Sequence, residues 1–437
     1  MSYFGRIKQL FLSSSLLKDS VVYVFTDGVN KSIPFLLLPV ISYYISPAEY
    51  GMITNYNLIV QILSIFCFSI SMVVLPVVFF KLDEMEIRNY VTNMFVFNSV
   101  LTLICLVVLA MLNKVIENGV RVSYLYQIMA IISVWFASII QLNMTLWRCE
   151  GKAFCFAAYK VFQSVIDCTI TVLLIIVLTI GWIGRIYGML IATVSLGFFS
   201  LILLYKRGYL SGKLSRACFI SILSFSLPLI PHGLSFWLKS GVDKLMLTNI
   251  CGMDMNGYYS VALTFGAIVS VIITSISNAF VPYLYKKLSM IDLDRENTIV
   301  EQKKILKIIF LLLLSILLFV IISFLFSYYF IVLAYPISYF RSLEFLPGIM
   351  ITQLFNGFYT MFVCFIHYTQ KTKILGAITF LFSLFQIALG YYFIITIGAV
   401  GSVISSAIVA LLTFVFVSIY AMKIYKLPWE CLIIFYK

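Results

Sequence analysis

Runs of about 20 mostly apolar residues, each long enough to cross the hydrocarbon of a bilayer as a helix, recur along this chain with only short gaps between them. Read by hydropathy, twelve such segments fall near residues 21–41, 54–79, 92–112, 124–144, 157–179, 184–205, 217–238, 258–283, 306–334, 346–367, 374–395 and 399–422. Of the 437 residues, 62% are hydrophobic and 11% charged, so a water-soluble fold would expose large apolar patches that a lipid-embedded one conceals. The expected fold class is therefore all-α: a polytopic membrane protein of about twelve transmembrane helices.

The charges report orientation. Net charge is +13, but the basic residues sit in small clusters between apolar runs and form neither a basic face nor a nucleic-acid motif, which excludes a nucleic-acid partner. With the N-terminus in the cytoplasm, most of the 30 lysines and arginines fall on the cytoplasmic side, while Lys114, Arg121, Arg185, Lys239, Lys244 and Arg341 fall outside or near the outer surface. That partition satisfies the positive-inside rule for an even number of spans with both termini cytoplasmic. The basic start MSYFGRIKQLFLSSSLLKDS has no cleavage pattern and reads as a retained lead-in. Nine cysteines without CxxC spacing or companion histidines read as small buried hydrophobes rather than metal ligands.

The two halves resemble each other. Leu75-Pro76 followed by Lys81-Leu82 recurs as Val281-Pro282 followed by Lys287-Leu288, and Gly51 recurs at the same spacing as Gly257. Gly181-Trp182-Ile183-Gly184 corresponds to Gly398-Ala399-Val400-Gly401 at a slightly larger spacing. Two tandem repeats of six spans follow, residues 1–210 and 211–437. An even number of spans gives both repeats the same orientation, related by an axis along the membrane normal with a central cavity between them.

Ionisable groups within such segments are expensive unless they face protein or water, so each is a functional candidate. Asp27 and Lys31 lie four apart on the first segment and share a helix face, either as a self-neutralising pair or as cavity-lining groups. The seventh segment carries Pro228, Pro231 and His232, then Lys239, Asp243 and Lys244. His232 reads as a proton relay or as a structural residue beside a proline. Lysines here would hold a phosphate or diphosphate by charge-assisted bonds. Asp167, in the fifth segment, suits either cation coupling or an interhelical hydrogen bond. Arg148, with Glu150, Lys152 and Lys160, marks a cytoplasmic turn that could draw in an anionic headgroup or simply set topology. Residues 286–307 read as a solvated connector carrying charges of both signs. No G-x-S-x-G, HExxH or P-loop pattern occurs, so the expectation is a protein that is not an enzyme, with no cofactor and no metal.

Three stretches carry a resemblance: DGVNKSIPFLLLPVISYYISPAEYG from Asp27 to Gly51, LPLIPHGLSFWLKSGVDKLML from Leu227 to Leu247, and GAVGSVISSAIVALL near the C-terminus. With Gly257-Tyr258-Tyr259-Ser260 they resemble the polysaccharide-biosynthesis and O-antigen flippases of the multidrug/oligosaccharidyl-lipid/polysaccharide exporter superfamily. The resemblance implies a flippase in the bacterial inner membrane. It would move an undecaprenyl-diphosphate-linked oligosaccharide from the cytoplasmic to the periplasmic leaflet by alternating access. Membrane lipid and an O-antigen polymerase or chain-length regulator are the implied partners. Cavity cations would hold the diphosphate, Lys31 first, then Arg148 and Lys239. Many relatives have an Asp-Arg pair where this chain has Asp243-Lys244, which keeps the charge but not the bidentate fork. The other readings are a cation-coupled exporter of small molecules, dependent on Asp27 and Asp167, and a membrane assembly factor for glycan polymerisation.

Overall fold

The computed structural model describes the backbone of residues 15–67, 69–227, 229–293 and 298–430. Fourteen α-helices account for most of these residues, and no strand occurs among them. In the first half they are α1 (Ser15–Ser42), α2 (Pro47–Cys67), α3 (Ser69–Phe79), α4 (Glu84–Val120), α5 (Tyr124–Cys149), α6 (Ala153–Val172), α7 (Trp182–Lys206) and α8 (Arg216–Ser226). The second half continues with α9 (Leu229–Met246), α10 (Met253–Leu293), α11 (Thr298–Ala334), α12 (Leu346–Tyr368), α13 (Thr372–Ile397) and α14 (Gly401–Ile424). Single π-turns close α6 at Leu173–Val177 and α9 at Leu247–Cys251.

Among the described residues, ten helices are long and apolar enough to cross a membrane. The remaining two expected spans fall on α1 and on the pair α8 and α9. The second expected span takes in α2 and α3, which are described on either side of residue 68. Large apolar side chains point outward along the long helices, for example Met111, Phe154 and Leu333, each about four-fifths exposed. In a bilayer that surface meets lipid.

The helix starts are written in the local sequence. At α2, Ser46 and Glu49 exchange hydrogen bonds (Ser46 N to Glu49 Oε2, 2.7 Å; Glu49 N to Ser46 Oγ, 3.3 Å) with Pro47 at the first helical position, a capping box that satisfies otherwise orphaned amides. At α4, Asp83 and Glu86 do the same. The expected solvated connector after Pro282 is largely helical in its described part: α10 runs to Leu293 and α11 starts at Thr298. Glu301 there accepts from Lys287 at 2.7 Å and from Lys304 at 2.6 Å.

The chain divides into two compact units, Met1–Trp237 and Leu238–Lys437. In the first unit α5 is the central helix. Its Ile139, Leu142 and Leu146 pack with Leu75, Met94 and Ile222, its Ala130 and Val134 with Tyr56 and Ile186, and its Trp147 with Tyr159 and Leu196. In the second unit Leu247, Tyr259, Phe345, Ile349, Ile394 and Val403 form a core cluster.

Turn geometry repeats between the halves. Gly181 opens α7 at φ +68°, ψ −149°, and Gly398 precedes α14 at φ +84°, ψ −161°, a region only glycine enters without strain. The α5–α6 turn closes through Lys152 N to Trp147 O at 2.8 Å with Gly151 left-handed, and the α12–α13 turn through Lys371 N to Ile366 O at 3.3 Å with Gln370 left-handed. Pro76 and Pro282 both lie inside helices, α3 and α10. Packing of α5 on α7 in the first unit is matched by α12 on α14 in the second.

Candidate functional site

Within the second unit, α9 brings Asp243 into the protein interior, 3% exposed. Three neutral groups from three other helices hydrogen-bond to it. Gln386 Nε2 on α13 donates at 3.1 Å, Ser406 Oγ on α14 donates at 3.2 Å, and the Tyr259 side chain on α10 joins them. Gln386 also donates to Ser406 Oγ at 3.2 Å, so the amide ties the two sides of the cluster together. Gly390, one turn beyond Gln386 on α13, also faces the cluster: a methyl group at that position would stand in ordinary contact, 3.6 Å from Asp243 Oδ1. Lys244 is the neighbouring charge, felt by Asp243 through space. A carboxylate at membrane depth is tolerable in this arrangement because charge-assisted donors replace water.

Sequence reasoning singled out Asp243 with Lys239 and Lys244, but did not name Gln386 or Ser406, and had Tyr259 only as part of a family motif. The signal was available for one of them: Gln386 is a solitary amide inside an otherwise apolar run, and such a group must find a polar partner.

The first unit holds a second polar layer. Asp167 on α6 receives Arg185 Nη1 of α7 at 2.9 Å on both carboxylate oxygens, and the same nitrogen donates to Thr171 Oγ1 at 2.8 Å. Both charged side chains are largely covered, 14% and 21% exposed for Arg185 and Asp167. Asp167 makes an interhelical contact, and the Arg185 side chain is turned into the protein. Gly188 makes the contact possible, since a Cβ there would lie 2.4 Å from Thr171 Oγ1. One turn before Asp167, Ser164 hydrogen-bonds Asn30 of α1.

At the opposite end of α6 lie Arg148, Glu150, Lys152 and Lys160. Exposed Arg148 lays its guanidinium 5.5 Å from the centre of the Phe156 ring, and Lys160 Nζ lies at the same distance from that ring. Glu150 is engaged elsewhere, by Lys152 at 2.8 Å, by Arg207, and by the Tyr209 hydroxyl at 2.7 Å. Burial first, and then the Glu150 carboxylate, push the Tyr209 phenol from its ordinary value near 10 up to about 12. The segment after α7 is latched to the start of α4: Thr92 Oγ1 donates to Tyr209 O, and Asn93 Nδ2 to Lys213 O at 2.9 Å.

Asp27 and Lys31 fall on α1, and His232 and Lys239 on α9; their side chains lie outside the described residues. The structure therefore groups Asp243 with Lys244, and Arg148 with Lys160, and keeps Asp167 with Arg185. Among the described residues no group of three or more His, Cys, Asp or Glu is placed to hold a metal ion.

Comparison with known proteins gives this geometry a context. The family described as "Polysaccharide biosynthesis protein" matches residues 16–287. A protein of the Lsg locus of Haemophilus influenzae is 25% identical over 281 residues, 62% of this chain and 67% of that protein. An uncharacterized membrane protein of the same organism is 22% identical over 279 residues, 63% of this chain and 66% of its own length. Among solved structures, an inward-facing multidrug resistance MATE family transporter of the MOP superfamily is similar with TM-score 0.68 at 15% identity, covering 94% of this chain and 99% of that one. The lipid II flippase MurJ, in an inward closed conformation, is similar with TM-score 0.67 at 16% identity, covering 95% and 89%. These likenesses show a fold shared with multi-pass membrane transporters. Since the family match takes in more than half of the residues, including α1, the seventh expected span and Asp243, this chain belongs to the polysaccharide biosynthesis protein family.

Proposed function

We propose that the chain is a flippase that carries an undecaprenyl-diphosphate-linked oligosaccharide from the cytoplasmic to the periplasmic leaflet of a bacterial inner membrane. The observation that carries this reading is the family match across residues 16–287 in a multi-pass membrane chain whose fold is shared with a lipid II flippase. An unassisted crossing would drag sugar hydroxyls and a diphosphate through hydrocarbon, at several kcal/mol for each uncompensated polar group. A polar passage flanked by lipid-accessible grooves removes that barrier while the polyprenyl tail stays in the bilayer. In this reading residues 1–210 and 211–437 are six-helix bundles that alternate access about a central cavity, both termini are cytoplasmic, and Lys31, Arg148 and Lys239 serve the diphosphate. An O-antigen polymerase or chain-length regulator would receive the product.

The test is a deletion strain complemented with wild type, Lys31→Ala or Asp27→Ala at matched membrane abundance, scored for surface glycan and for the leaflet in which the lipid-linked unit resides. Accumulation on the cytoplasmic face in Lys31→Ala is the expected result. Unchanged flipping with failed polymerisation would replace the flippase with an assembly factor.

A second reading, a cation-coupled exporter of small molecules, draws support from Asp243 alone. It is a buried carboxylate within an apolar helical unit that accepts from Gln386 and Ser406, and intramembrane carboxylates of this kind mark ion and proton pathways. Transport of small cationic dyes that is driven by an ion gradient and lost in Asp243→Asn would favour it, with sugar-lipid flipping absent.

A further inference from the structure

In the first unit an apolar groove of about 540 Å³ runs between α2, α4 and the α8–α9 region. That volume falls within the range of small-molecule sites. No charged side chain lines it, and the polar groups that do are committed to the protein itself. The Trp237 indole donates to Leu58 O at 3.1 Å, the Ser226 hydroxyl to Ile222 O at 2.5 Å, and the Cys105 thiol lies against that of Cys67. Nothing in the groove asks for a hydrogen bond, so its occupant is hydrocarbon. Ile104, Val108, Leu223 and Leu227 are each about half exposed, which leaves the groove open to a chain entering from the side.

Length distinguishes which hydrocarbon. Along α4 the lining residues are Phe97, Leu101, Ile104, Val108, Ile116 and Val120, one face of a continuous helix. At 1.5 Å per residue, the part of this face inside the expected span, from Leu112 at its outer end down to Phe97, is about 22 Å long. An acyl chain anchored at one interface reaches only half of the hydrocarbon core, roughly 15 Å of a total near 30 Å. The groove begins beside the exposed, charged end of α4 at Lys114, Glu117 and Arg121 and continues past the depth at which an acyl chain stops. We infer that this groove holds the polyisoprenoid tail of the substrate lipid, threaded along α4 for more than one leaflet. The inference rests on the flippase reading for the identity of the lipid, and on the groove's length and its lack of unmet polar groups for the site.

The test uses the full-length protein in proteoliposomes with two photo-reactive probes: sugar-free undecaprenyl phosphate carrying a diazirine in its tail, and phosphatidylethanolamine carrying one in an acyl chain. The polyprenyl probe is expected to cross-link peptides containing both Leu101 and Ile116. Unlabelled undecaprenyl phosphate should compete and geranyl phosphate should not, a comparison made on the wild-type protein and so independent of any folding defect. Filling the groove with Val108→Trp or Ile104→Trp should reduce polyprenyl labelling about tenfold. Equal labelling of both peptides by the phospholipid probe, competition by geranyl phosphate as strong as by the full-length tail, or full labelling of folded filled variants would each overturn the proposal. Because the probe carries no sugar and need not be translocated, labelling without sugar-lipid flipping in the leaflet assay would reject the flippase reading and leave the groove assignment standing. Flipping without groove labelling would do the reverse.

Discussion

Single buried polar residues carry the sharpest expectations. Asp243 binds three neutral partners from three helices, and deleting one leaves a carboxylate under-solvated at a cost of about 1–3 kcal/mol. Gln386→Leu is accordingly expected to lower the melting temperature of the purified protein, and Asp243→Asn, which keeps the shape and removes the charge, to lower it less. A melt of Gln386→Leu equal to wild type would show that the amide is not part of the carboxylate's support. Arg185→Ala strands Asp167 in a largely covered site and is expected to cost roughly 3 kcal/mol, with much of the loss recovered in Arg185→Leu/Asp167→Leu. Additive losses in the double variant would deny the pairing. Tyr209 titrates with a folded value raised to about 12 against an unfolded value near 10. Burial disfavours the tyrosinate, so wild type loses stability as pH rises from about 10 toward 12 while Tyr209→Phe does not, and alkaline melts should show wild type falling relative to the variant across that window.

Helices and turns obey more local rules. Gly181 combines φ +68° with a close approach of Glu49, whose Oε1 would stand 2.8 Å from a Cβ. Gly181→Ala should therefore destabilise by about 1–2 kcal/mol from backbone strain alone. Glu49→Ala in the same protein should relieve only the steric part, and a thermal melt of the single and double variants separates the two. The α2 capping box, the α4 capping box and the left-handed Gly151, Gly208 and Gly398 turns are all legible in short stretches of sequence, because each is satisfied by residues two to five positions apart. Less legible is the break within one expected span: 217–238 looks continuous by hydropathy, yet it is shared between α8, which ends at Ser226, and α9, which starts at Leu229. Hydropathy measures the solvent a segment tolerates and is blind to where its backbone hydrogen bonds are interrupted.

At the scale of the whole molecule, the membrane class was decided by composition and by apolar run length. A bilayer demands that every spanning segment satisfy its own backbone hydrogen bonds, which leaves helices as the form these runs take. Likeness between the two halves was visible too, in Pro76 and Pro282 and in Gly181 and Gly398, because equal turns in equal places need the same special residues. Tertiary structure alone decided the partners of the buried charges. Asp243 lies 143 positions from Gln386 and 163 from Ser406, and Asp167 pairs with Arg185 of the next helix, 18 positions on. It alone also revealed the groove along α4, whose walls come from three separate stretches of chain. The physical reason is range: helix formation and membrane insertion depend on each segment's own composition, whereas a buried charge and a shaped cavity depend on which distant side chains packing brings within a few ångströms.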